Sequence, residues 1–440
     1  MKVGAAFLQT FTTQVVQSVA SIATGILIAR GLGPTGQGHY AVIVAAVGLL
    51  STLAAAGQFE GNVLTSAGER SLGRVLLVRS LIQGLVAASL ILVLHPLWRR
   101  GLGVAGDDTI AFLVAAVLLC EALALLFRGI NLGQHNVTAY NLTTLTHRIV
   151  LFAGIVTLRA LHVLRLTTVL AAWLAAVSVN VAIAATWIWR RSGGTGSVAL
   201  SWGAIRASWR AALLRGLRAL VTIGLTLLLV RADVYMLGPM LGTPAVGQIS
   251  VASALAEYLW YIPSILGSVL FAAVAASRGP DTVAKIARAS RAVVTLLVPV
   301  AIVLALVGRT LVPLIYGSAY TAAGTLFVLL LPGMLAISLH LVIDSYFAGS
   351  GFPPISVLAA AGALVLKVGL NLAIVPRLGL PGAAVATSLV YFTLLTVKVI
   401  AFARQTGTGF ATLLRPAWAD VRDNLAAARR WVGVGVGGDT

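Results

Sequence analysis

Four charged side chains, Glu121, Arg148, Glu257 and Lys367, fall near the middle of apolar runs long enough to cross a bilayer. A charge at that depth costs about 2.5–3.5 kcal/mol on insertion scales unless it is paired or hydrated. Such residues mark either a water-filled cavity or a buried structural pair. Cations facing a cavity would favour an anion, and phosphate is the obvious kind. Arg148 and Lys367 are therefore the leading binding candidates. Glu121 and Glu257 are candidate proton or cation sites. Arg79, Lys398 and Asp344 lie within about a turn and a half of a membrane face, where long side chains snorkel to water. Arg30, Arg231 and Asp233 fall near the opposite face, where an ion pair or interface anchor is expected; Asp233 is the further counterion candidate.

Uncharged polar residues repeat at helical spacing beside these charges. Thr10, Gln14, Gln17, Ser21 and Thr24 step by four, three, four and three along the first run. Ser250, Ser253, Glu257, Tyr261, Ser264 and Ser268 do the same along the eighth, Asn141, Thr144 and Arg148 along the fifth, and Lys367 and Asn371 along the eleventh. A polar stripe on a membrane helix faces protein or water. It lines an aqueous cavity or serves interhelical packing, and both readings stand. Gln14, Gln17 and Asn371 join the binding candidates.

Catalysis finds no constellation. The six histidines (39, 95, 135, 147, 162 and 340) lack HExxH or similar metal spacing, and neither a Walker A sequence nor a GxSxG elbow occurs. Asp107-Asp108 is the one adjacent acidic pair, in an outer loop too short to hold a polymer acceptor. We expect no catalytic residue, metal or cofactor. Cys120 lies alone in an apolar run and can form no internal disulfide. Asn136-Val-Thr and Asn141-Leu-Thr match the glycosylation pattern but fall on the predicted cytoplasmic side.

The elements that must hold these residues follow from composition. Of 440 residues 59% are hydrophobic and 10% charged, against roughly 25% charged in soluble domains. Spanning a bilayer takes about 20 apolar residues per helix. Runs bounded by Gly, Pro and charge predict twelve spans, near 7–29, 39–57, 75–97, 109–128, 138–158, 167–189, 214–236, 246–276, 291–309, 322–347, 354–375 and 381–403, with a kink at Pro263. The first is expected to be a retained helix and not a cleaved signal. The net charge of +19 gathers at the ends of the runs, as lipid contact explains and nucleic-acid binding does not. Alternate segments hold 20 Lys and Arg against 8, or 19 against 8 without Arg148, which lies inside its run, and this predicts both termini in the cytoplasm.

The predicted organisation is an all-α integral membrane protein. A six-helix bundle (1–189) and a second (214–403) flank a basic connector (190–213), and a cytoplasmic tail (404–440) follows. In the connector Trp202, Ile205, Trp209 and Leu213 recur at helical spacing, with Arg206 and Arg210 on other faces, as in an amphipathic helix on a membrane surface. Leu414, Trp418, Val421 and Leu425 repeat the pattern in the tail. The halves also align: Leu32-Gly-Pro-Thr-Gly-Gln-Gly-His-Tyr-Ala-Val42 and Leu241-Gly-Thr-Pro-Ala-Val-Gly-Gln-Ile-Ser-Val251 share four of eleven positions and bridge the first two spans of each half. Arg148 and Lys367 occupy the fifth span of each half. A parallel repeat of this kind is a transporter architecture.

The stretch from Ala29-Arg-Gly-Leu-Gly-Pro-Thr-Gly to Val42 resembles the signature of bacterial polysaccharide and O-antigen flippases, the oligosaccharide branch of the multidrug/oligosaccharidyl-lipid/polysaccharide exporter superfamily. Arg231-Ala-Asp-Val-Tyr-Met-Leu-Gly through Gly247, Ile315-Tyr-Gly-Ser-Ala-Tyr320 and Gly379-Leu-Pro-Gly-Ala-Ala384 resemble the family's later stretches, in the same order. The resemblance implies two V-shaped six-helix bundles that alternate between inward- and outward-open states. It implies transport of undecaprenyl-diphosphate-linked oligosaccharide across the bacterial cytoplasmic membrane, driven by an ion gradient or membrane potential. The partners implied are that lipid, the bilayer, and the polymerase and chain-length machinery, without nucleic acid. Basic cavity residues would engage the diphosphate, and by position these are Arg148 and Lys367, then Arg30 and Arg79. A multidrug antiporter of the same superfamily is the alternative, and a membrane enzyme of envelope synthesis a more distant one.

Overall fold

The computed structural model describes residues 3–56, 58–68, 72–93, 108–134, 136–192, 201–277, 279–351, 353–415, 418–419 and 422. Asp107, two of the four residues of the tail pattern (Val421 and Leu425) and part of the connector lie outside them. The side chains of Thr10 and Ser268 are likewise outside. Among the described residues the secondary structure is helical throughout. Thirteen α-helices follow one another: α1 (Val3–Ala55), α2 (Gln58–Gly68), α3 (Gly73–Val93), α4 (Asp108–Gly133), α5 (Val137–Ala160), α6 (Leu166–Arg191), α7 (Trp202–Leu241), α8 (Thr243–Ala256), α9 (Tyr261–Ala276), α10 (Pro280–Tyr316), α11 (Thr321–Gly349), α12 (Pro354–Thr406) and α13 (Phe410–Leu414).

Among the described residues ten helical stretches are long and apolar enough to cross a membrane. Two of them, 44 and 53 residues long, would each extend well beyond the ~30 Å hydrocarbon core if straight. Both break at a glycine: Gly33 in α1 (φ 66°, ψ 177°) and Gly379 in α12 (φ 62°, ψ −145°). Each therefore supplies two crossings, which makes twelve membrane-length segments. The protein is a multi-pass membrane protein.

The chain divides into two compact units, Met1–Gly224 and Leu225–Thr440. Each is built around its fourth span. In the first unit α4 packs against α1, α2, α3 and α6, and in the second α11 packs against α8, α9, α10 and α12. These two helices are the most deeply covered of the membrane-length set, with 61% and 72% of their apolar windows buried. Aliphatic side chains of α4, α5 and α6 (Val117, Leu118, Ile155, Val169 and Val177) form the core of the first unit.

The turn between the first two spans is made alike in both halves. Gly242 (φ 86°, ψ 167°), aligned with Gly33, adopts nearly the same backbone conformation, one essentially confined to glycine. A proline follows within two residues in each case (Pro34 and Pro244), where the first turn of a helix has no partner for an N–H anyway.

Four features differ from the sequence expectation. The second span ends at Ala55, close to the expected 57, but a further helix outside the expectation, α2, follows it, where Glu60, Gly61 and Asn62 interrupt the hydropathy. This segment lies close on α4, where a Cβ at Gly129 or Gly133 would meet the backbone of Phe59 or Val63 at 2.7 and 2.4 Å. Small residues four apart permit such contact. The kink expected at Pro263 is a 3₁₀ stretch, Glu257–Trp260, just ahead of it; Pro263 cannot donate to the carbonyl of Leu259, so the helix tightens there. The connector, from Trp202 onward, is one continuous helix with the seventh span. Finally, Arg79 and Lys398 do not snorkel: each is 2% exposed and held by buried partners described below.

Candidate functional site

The first unit contains a polar cavity of about 280 Å³ among α1, α4, α5 and α6. Glu121 and Arg128, seven residues apart on α4, share one face and both line it. Arg148 enters from α5, next to His147, and Gln17 from α1. Arg148 is exposed and makes no hydrogen bond or ion pair with another described residue. Glu121 accepts a 2.8 Å hydrogen bond from the indole N–H of Trp173, and Nε2 of His147 stands 4.0 Å from the same carboxylate oxygen. Gln17 donates to Oγ1 of Thr144 at 2.9 Å. Asn180 completes the wall with a buried carbonyl oxygen that has no partner. Two guanidiniums against one carboxylate leave the cavity positive, suited to a phosphate-bearing ligand.

The second unit holds a polar cluster of another kind. Lys367, 1% exposed, donates to Oδ2 of Asp233 at 2.7 Å and to Oγ1 of Thr387. Thr387 donates in turn to Asp233, and Asn371 reaches the other carboxylate oxygen at 2.8 Å. Glu257, at the 3₁₀ stretch, receives both terminal nitrogens of Arg231 at 2.8 and 3.3 Å. Lys398 pairs with Asp344 at 2.6 Å and Ser356 at 2.7 Å, its ammonium 4.4 Å from the ring centre of Phe347. Each of these three carboxylates is met by one cation.

The sequence candidates thus separate by position. Arg148, Glu121 and Gln17 come together in the first-unit cavity. Asp233, Lys367 and Asn371 come together in the second unit, and Glu257 is held by Arg231. Arg79 is buried in the first unit, donating to the side-chain oxygen of Asn62 and, at 3.0 Å, to the carbonyl of Ser208. Arg30 is exposed, and neither it nor Gln14 lines the cavity. Sequence reasoning passed over Arg128, Trp173 and Asn180. The seven-residue spacing from Glu121 is the signal that could have found Arg128, which the run boundary at 128 placed with the flanking charges. Asn136, from the discarded sequon, accepts from the backbone N–H of Ala139 and caps α5.

Solved structures share this architecture. A lipid II flippase, MurJ, in an inward-closed conformation superimposes with a TM-score of 0.69 at 9% identity, over 97% of this chain and 98% of that one. An inward-facing multidrug resistance MATE family transporter of the MOP superfamily gives 0.69 at 15%, over 95% and 100%. A MOP superfamily transporter from Pyrococcus furiosus, described as having a binding pocket of reversed polarity, gives 0.60 at 16%, over 92% and 94%. The fold is that of the MOP-superfamily transporters. No curated protein matches in sequence. The family model for polysaccharide biosynthesis proteins matches residues 27–324, and the chain belongs to that family.

Proposed function

We propose that the protein is a flippase that carries undecaprenyl-diphosphate-linked oligosaccharide from the cytoplasmic to the outer leaflet of a bacterial cytoplasmic membrane, for surface or exopolysaccharide synthesis. The observation that carries this reading is the pair Arg128 and Arg148 in one cavity with a single carboxylate. Guanidiniums bind phosphate oxygens in forked geometry and keep their charge. In this reading the two arginines hold the diphosphate, Gln17 and Asn180 meet sugar hydroxyls, and the polyprenyl tail remains in lipid. The site is exposed to the two membrane faces alternately. The chain performs no bond chemistry; an ion gradient or the membrane potential supplies the work, the sequence having no Walker A motif. Both termini are cytoplasmic, as the distribution of Lys and Arg favours. Glu121, beside His147, and Asp233, beside Lys367, are the candidate coupling carboxylates. A polymerase and chain-length machinery would take the product.

The test uses a strain lacking the gene and labelled sugar precursor. Lipid-linked oligosaccharide should accumulate on the cytoplasmic leaflet, inaccessible to an external glycosidase. Wild-type protein should reverse this; a well-inserted Arg128→Ala/Arg148→Ala variant should not. Absence of accumulation, with new sensitivity to cationic dyes, would overturn the reading in favour of a drug exporter.

A further inference from the structure

A second cavity of the first unit lies away from the cluster just described. It is an apolar groove of about 460 Å³ between α3 and the start of α7, walled by Arg79, Gln83, Val86, Trp202, Arg206 and Trp209. Val86 and Trp202 are 56% and 69% exposed, as side chains are that face lipid. Amphipathic indoles sit at the boundary between hydrocarbon and head groups. Arg79 lies in the second turn of α3 and Arg206 in the second turn of α7, so the groove sits where both helices begin. Arg79 donates through both terminal nitrogens, while its buried Nε has no partner. The side-chain oxygen of Gln83 is also buried without one, its nitrogen donating to the carbonyl of Ala54 at 2.7 Å. Apolar walls, two cations and unmet polar atoms thus occur together.

We propose that this groove binds one anionic phospholipid of the surrounding bilayer, with an acyl chain along Val86 and the two indoles and the phosphate on the exposed Arg206, in the field of the buried Arg79 charge behind it. Charge complementarity selects the occupant. A zwitterionic head group would bring a cation to the same two guanidiniums, whereas an anionic one brings only phosphate. The lipid would act as a wedge between α3 and α7, since the Arg79 bond to the carbonyl of Ser208 already joins these helices at the groove. The assignment does not depend on what the protein transports. It gives Arg79, a substrate candidate from the sequence, a different role.

Native mass spectrometry of the purified full chain, titrated separately with dioleoyl phosphatidylglycerol and dioleoyl phosphatidylcholine, tests this. Wild type should retain one phosphatidylglycerol per chain with a preference of about fivefold or more, the worth of one basic side chain beside an anionic head group. Arg206→Glu should remove the preference, while Arg377→Glu, an equal charge change elsewhere, should keep it. Val86→Trp, at an exposed position, should fill the groove and remove the bound lipid without lowering the melting temperature. Equal retention of both lipids by wild type, or unchanged retention in Val86→Trp and Arg206→Glu, would overturn the proposal. So would displacement of phosphatidylglycerol by equimolar undecaprenyl phosphate, which would make the groove a site for the polyprenyl chain.

Discussion

The polar clusters of the two units contain similar residues in opposite states. In the second unit three cations, Arg231, Lys367 and Lys398, meet three carboxylates, Glu257, Asp233 and Asp344, at 2.6–2.8 Å. In the first, Arg128 and Arg148 share a cavity with Glu121 alone, and that carboxylate is further engaged by Trp173. The same price of bringing charge into a membrane is met by pairing in one half, while in the other the charges line a polar cavity that can admit water. A paired charge holds helices together and has little left for a ligand; a hydrated charge can exchange water for one. On the proposed function, binding therefore rests on the first unit's cavity, while the paired charges of the second hold helices together, with Glu121 and Asp233 as the candidate coupling carboxylates.

The sharpest way to break this contrast is to remove the unpaired charges. Arg128→Ala/Arg148→Ala should lower transport of lipid-linked oligosaccharide by at least about 100-fold, since each charge-assisted hydrogen bond lost contributes about 1.5–3 kcal/mol. The melting temperature in detergent should stay close to that of wild type, because no described protein partner of Arg148 is stranded. Retained transport in a correctly inserted double variant would show that the cavity does not bind the substrate. A large fall in melting temperature would show that its charges are structural after all.

The complementary experiment strands a partner in the second unit. Lys367→Met leaves Asp233 buried with an unmet charge, and breaking a buried pair costs about 3–5 kcal/mol. Thermal unfolding should register a loss of that order, and Lys367→Met/Asp233→Asn should recover much of it, because the second change removes the stranded charge. The coupling energy of this double-mutant cycle measures the pair directly. A single variant as stable as wild type would place Lys367 with the cavity-lining charges and erase the distinction between the halves.

These clusters also mark what the sequence could convey. Hydrophobic runs and Gly-Pro punctuation report span number and turns, because each depends on neighbours within a few residues. Arg148, Glu121 and Gln17 were recognisable because burial in a run makes any polar residue expensive. Depth in a run carries no direction, however. Arg79 and Lys398 read as snorkelling side chains when they turn inward to Asn62 and Asp344. The pairing of Lys367 with Asp233 joins residues 134 positions apart, and no local spacing announces it. Helix α2 was missed for a related reason: its polar residues break the hydropathy pattern, yet Asn62 and Ser66 donate to the carbonyls of Leu126 and Ile130 on α4, a context only the packed bundle supplies.

Where the clusters diverge, the turns that open each half should respond alike, and this gives the smallest effect of the set. Gly33 and Gly242 share a backbone conformation that costs an ordinary residue roughly 1–3 kcal/mol. An added Cβ meets no atom within 4 Å at Gly33 and only Pro244, at 3.7 Å, at Gly242. The penalty of Gly33→Ala or Gly242→Ala is thus conformational and not a clash, and the two should lower stability by similar amounts. Gly25→Ala supplies the reference, being helical with open space around it; there alanine should be neutral or favourable by about 0.5–1 kcal/mol. Thermal unfolding of the three variants side by side isolates the turn. If Gly33→Ala behaves like Gly25→Ala while Gly242→Ala is destabilised, the halves use different turns and their aligned glycines are coincidental. Equal losses at both would make this turn the feature the two halves share, beneath clusters that have since taken different work.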